Sequence, residues 1–141
     1  MRQKTYVNAL STKELVRIYY GKFQNEKVVC KKCGNDFIDN CEKMTDVNIA
    51  TQMIVDFYQD NFDMAMIISG DTDLLPPIRF INDSPNKRAF VAFPPDRVND
   101  EVRNAAKGSL SFGRKKLAES QFPEPVVSQE GEAYNKPIEW I

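Results

Sequence analysis

Met64-Ala65-Met66-Ile67-Ile68-Ser69-Gly70-Asp71-Thr72-Asp73 is the stretch on which the reading of this chain turns. The unbroken apolar run MAMII, residues 64–68, predicts a strand covered on both faces, as in a parallel sheet. It stops at Ser69-Gly70, where glycine permits a sharp exit. Asp71 and Asp73 are then held together at the strand's C-terminal end. Ligands in open parallel sheets gather beyond those ends, and carboxylate oxygens so close together suit a hard divalent cation. The plainer reading makes both residues turn and cap positions ahead of Leu74, since Asp serves there as well. For the pair alone the two readings balance.

Working outward, TDVNIATQMIVDFYQ predicts a helix from about Asp46 to Gln59. Thr45 is its expected N-cap, and Val47, Ala50, Ile54 and Phe57 mark its apolar face. Asp46 falls in the first turn, where an acid complements the free amides and the helix dipole. Upstream, VRIYY at 16–20 predicts a strand ending at Gly21. KVVC-KKCGND-FID predicts a β-hairpin with cysteines at its tip. Downstream, LLPPIRFIN starts a helix whose prolines fit the first turn. RAFVAF predicts a buried strand, DEVRNAA a helix, SLSF a short strand and RKKLAES a last helix. This alternation predicts an α/β fold, a three-layer α/β/α Rossmann-like sandwich with a mostly parallel sheet, carrying the cysteine-bearing hairpin as an insertion. Of the aromatics, Tyr19, Tyr20, Phe23, Phe57, Tyr58 and Phe62 are expected mainly in the core.

The 141 residues suit one domain. The prolines and polar residues from Glu124 onward divide the chain into a folded domain, residues 1–123, and a flexible C-terminal tail, residues 124–141. Nineteen lysines and arginines against twenty acids leave no net signal for nucleic acid. A local one exists between Arg103 and Lys116, where Arg103, Lys107, Arg114, Lys115 and Lys116 are interrupted by no acid. Such a run suits phosphate contacts and equally a solvated helix face. Arg97, Arg103 and Lys107 follow the Pro94-Pro95 strand exit and are the candidate phosphate contacts. The sequence contains no histidine, so serine–histidine and cysteine–histidine nucleophiles are excluded. No apolar run approaches the roughly 20 residues of a membrane span, and the N-terminus lacks a signal-peptide core. Three cysteines argue against a disulfide framework and for the cytoplasm. Cys30-x-x-Cys33 with Cys41 resembles half of a structural zinc site, to be completed by Asp36, Asp39, Glu42 or a second chain; the alternative is free thiols on a mobile hairpin.

In order, EKMTDVNIA, the strand with SGDTDLLPPI, and NKRAFVAFPP resemble the NYN branch of the PIN-like nuclease superfamily. The resemblance runs from about Arg2 through SFGRKKLAESQFP. It implies that Asp46, Asp71 and Asp73 are acidic ligands of Mg²⁺ or Mn²⁺, that Ser69 orients the site, and that Lys43 meets a substrate phosphate. It further implies a metal-dependent endoribonuclease acting on RNA. Members of the family open with a strand ending in Asp-Gly-x-Asn, and this sequence has no such motif. By the family's fold that strand lies between VRIYY and MAMII, so unpaired strand edges and a site one carboxylate short are expected. A homodimer or a completing partner chain would relieve both; a shortened gene, a half-domain and an inactive variant are all compatible. Two rival functions follow: a non-catalytic RNA-binding or assembly module of the same fold, and a phosphoryl-transfer enzyme with Asp71 as nucleophile.

Overall fold

The computed structural model describes residues 2–140. In chain order the elements are α1 (Arg2–Ser11), the strands β1 (Lys22–Val29) and β2 (Asp36–Lys43), α2 (Thr45–Tyr58) and β3 (Met64–Ile67). A 3₁₀ turn (Thr72–Leu74), α3 (Leu75–Asn82), β4 (Arg88–Phe93), α4 (Asp100–Ala105), β5 (Ser109–Ser111) and α5 (Arg114–Glu119) follow. The chain ends in β6 (Val126–Val127), β7 (Ala133–Tyr134) and a second 3₁₀ turn (Ile138–Trp140). These elements form two compact units, one of Tyr19–Arg114 and one of the residues up to Ile18 and from Lys115 on.

In the Tyr19–Arg114 unit, β3, β4 and β5 form a parallel sheet in that order, with Met66 opposite Phe90 and Ala92 opposite Leu110. Side chains alternate along a strand, so Ala65, Ile67, Ala89, Val91 and Phe93 share one face. That face packs against Leu75, Ile78 and Ile81 of α3, Ala50, Met53 and Phe57 of α2, and Val102 of α4. Ile78 and Ile81 are fully buried, each worth about 1.5–3 kcal/mol over exposure. Pro76 and Pro77 occupy the first turn of α3, as their missing amides favour. Asn82 fastens the layers: its Oδ1 accepts the Ala89 amide at 2.8 Å and its Nδ2 donates to the Ala105 carbonyl at 2.9 Å.

Several expectations need correction. MAMII is not covered on both faces. β3 lies at the sheet edge, and Met64, Met66 and Ile68 are 62%, 57% and 63% exposed, because only their alternate neighbours point toward the helices. VRIYY joins no ladder: β propensity makes a strand only where a neighbour takes up the backbone groups. The end of that segment is held instead by Asn48 Nδ2, which donates to the Tyr20 carbonyl at 3.2 Å. Of the aromatics expected in the core, Tyr19, Tyr20, Phe23 and Tyr58 are exposed, while Phe57 and Phe62 pack against it.

The hairpin of β1 and β2 forms as read and is longer than expected, pairing Lys22 with Lys43 and Val29 with Asp36. In the other unit, residues 124–140, expected as a tail, carry the β6–β7 ladder, and β7 packs on α1. Tyr6 stands 6.0 Å from Phe122 and 6.3 Å from Trp140, ring centre to ring centre. These rings help line a cavity of about 420 Å³. The sequence reading missed α1 and these short strands, whose residues carry no clear period.

Candidate active site

Ser69 to Asp73 form the exit of β3, beyond its C-terminal end. The Ser69 Oγ accepts the Asp71 amide at 3.0 Å, and Asp71 Oδ1 accepts the Asp73 amide at 3.0 Å. Asp71 thereby caps the 3₁₀ turn and keeps one oxygen free of that bond. Gly70 is required here, since a Cβ at this position would strike the Arg97 carbonyl of the loop after β4. The exits of two neighbouring parallel strands therefore touch.

Helix α2 packs against the 3₁₀ turn, which sets its first turn opposite this exit. Burial pushes the Asp46 carboxyl above the ordinary aspartate value, and the charges of Asp71, Asp73 and then Glu42 push it further. The charges of three other acids thus reach Asp46. Glu42, near the end of β2, is the member that sequence reading did not assign to this site; its signal was its place four residues before Asp46. Its carboxylate accepts the Thr45 amide at 3.2 Å and the Thr45 hydroxyl. Met44, in the left-handed conformation, is therefore the N-cap residue, and Thr45 is already inside the helix.

The basic candidates disperse. Lys43 ends β2, where Glu26 binds it at 2.9 Å and holds its ammonium above the ordinary lysine value. Arg103 is paired with Asp100 of its own helix at 2.6 Å, and Arg114 with Asp96 at 2.8 Å. The Lys107 amide donates to the Ala89 carbonyl, at the start of β4. That places Lys107 at the opposite end of the sheet, about 13 Å of strand from the exit. Arg97, whose backbone lies against Gly70, is exposed and makes no ion pair among the described residues.

The NYN domain family model matches residues 3–113. The chain belongs to the NYN domain family. NYN domains are PIN-like α/β domains of nuclease type. Searches of curated proteins and of solved structures returned no match. No helix among the described residues is long and apolar enough to cross a membrane.

The carboxylates of this NYN domain fit a hard cation in kind, being oxygen donors crowded by their own charge. As they stand, no three acidic or thiol side chains among the described residues are close enough to hold an ion together. The expected thiol triad is also undone. Cys41 lies opposite Gln24 in the hairpin, six residues up the strand from Cys30, or about 20 Å. Burial and then Glu26 raise the Cys41 thiol. Asp36 is taken by Lys27 and Glu42 by Thr45, so neither is free to complete a zinc site at the tip.

Proposed function

We propose that this NYN domain hydrolyses RNA phosphodiesters with Mg²⁺ or Mn²⁺, and that Asp46, Asp71 and Asp73 hold the ion. The observation that carries this reading is that α2 packs against the 3₁₀ turn of the β3 exit, with Asp46 near enough to feel the charges of Asp71 and Asp73. A divalent cation bound there supplies Lewis acidity and offsets charge on the phosphate under attack. The chain's residues do the positioning. Asp71 is fixed by its bond to the Asp73 amide and Ser69 by its bond to the Asp71 amide, so both present their oxygens in set directions. Arg97, beside the exit, orients a substrate phosphate through charge-assisted hydrogen bonds. The same reading includes a second helical layer over Met64, Met66 and Ile68, completing a three-layer sandwich, and a cytoplasmic setting.

Incubation of the chain with fluorescent single-stranded RNA and Mn²⁺, beside Asp71→Asn protein and an EDTA control, tests it. Cleavage that disappears in both controls supports the reading. No cleavage from folded protein overturns it and leaves a non-catalytic RNA-binding or assembly module.

A further inference from the structure

The hairpin is built for more than its own stability. Phe23, Val29, Phe37 and Ile38 are exposed along it, and an isolated two-stranded hairpin is marginal in water. Its tip is nonetheless closely shaped. The Cys30 amide donates to the Asn35 carbonyl at 2.9 Å and the Gly34 amide to the Cys30 carbonyl at 2.8 Å. Gly34 turns the chain at φ +74°. Cys30 and Cys33 thereby lie within one tight turn, with Cys33 exposed.

Two cysteines separated by two residues make half of a tetrahedral thiolate site. No third acidic or thiol side chain among the described residues joins them in a group that could hold a metal. Cys41 is too far, Asp36 is paired with Lys27, and the sequence has no histidine. A second, identical tip supplies two more sulfurs through a twofold axis. Charge favours the same arrangement: zinc with four thiolates carries a net charge of about −2, and Lys31 and Lys32 of each tip surround it with positive charge. Val29 and Ile38, exposed on the same face of the hairpin, offer apolar surface for such a pairing.

We propose that Cys30 and Cys33 from two copies of this chain share one zinc ion, which joins the hairpin tips into a metal-linked dimer. The test adds Zn²⁺ to the full chain, reduced and stripped of metal, and follows mass by light scattering and bound zinc by elemental analysis. The expected result is a twofold rise in mass with half an equivalent of zinc per chain, reversed by EDTA. Cys30→Ser and Cys33→Ser lose both responses with an unchanged far-UV circular dichroism spectrum; Cys41→Ser keeps both. Co²⁺ in place of zinc shows the absorption of a four-thiolate tetrahedral site. A mass that zinc leaves unchanged, a full equivalent bound per chain, or responses lost in Cys41→Ser overturn the proposal.

Discussion

Asp71 Oδ1 accepts the Asp73 amide at 3.0 Å, so one member of the carboxylate pair is the cap for the turn that carries the other. Structure and chemistry are thereby joined in one side chain, and two substitutions separate them. Asn caps about as well as Asp. Asp71→Asn should therefore stay within about 0.5 kcal/mol of the parent in urea unfolding and lose RNA cleavage. Asp71→Ala should lose cleavage and also about 1 kcal/mol of stability.

Asp46 titrates above the ordinary aspartate value through burial, Asp71 and Asp73. Between the unfolded and the raised folded value, the native chain keeps a proton that the unfolded chain has lost. Stability therefore falls as pH rises through that window. Binding of a cation needs the deprotonated form, so Mn²⁺ affinity rises through the same window. Calorimetric titration against pH should show this rise above the ordinary aspartate range, and Asp46→Asn should flatten it.

Gly70 sits where a Cβ would strike the Arg97 carbonyl. Gly70→Ala should push the two strand exits apart, costing about 1–3 kcal/mol of stability. Cleavage should fall as Arg97 moves from the carboxylates. A Gly70→Ala protein that unfolds and cleaves like the parent would show that the two exits need not touch.

Lys87 is buried, and its ammonium binds Asp60 and the Phe62 carbonyl, the latter at 2.7 Å, beneath the rings of Phe57 and Phe62. Lys87→Met keeps the stem and removes the charge. It leaves the Phe62 carbonyl short of a donor, for an expected loss of about 1–3 kcal/mol in urea unfolding. Cleavage by the folded fraction should be unchanged, since Lys87 precedes β4, at the opposite end from the exit.

Much of the local structure around the candidate site was legible because its signals are local. A short apolar run, a glycine exit and two acids in SGDTD specify a strand and a tight turn within ten residues, and the period of TDVNIATQMIVDF specifies the helix that brings Asp46. Thr45 was misread as the cap because the residue that bonds its amide is Glu42, at the end of a strand whose register no local pattern reveals. VRIYY has the composition of a strand and joins no ladder, since composition does not supply a neighbour.

What the sequence by itself determined is the alternation of elements, the α/β class and the three aspartates, because helix period, turn chemistry and caps act over a few residues. Tertiary structure alone decided which charges stay with them. Strand order and register carry Lys107 to the far end of the sheet, occupy Lys43 with Glu26, and part Cys41 from the Cys30–Cys33 tip. They also bring Glu42 toward Asp46 and the Arg97 backbone against Gly70. The physical reason is that pairing between strands and packing of helices fix distances between residues far apart in the chain, and no local preference encodes those distances.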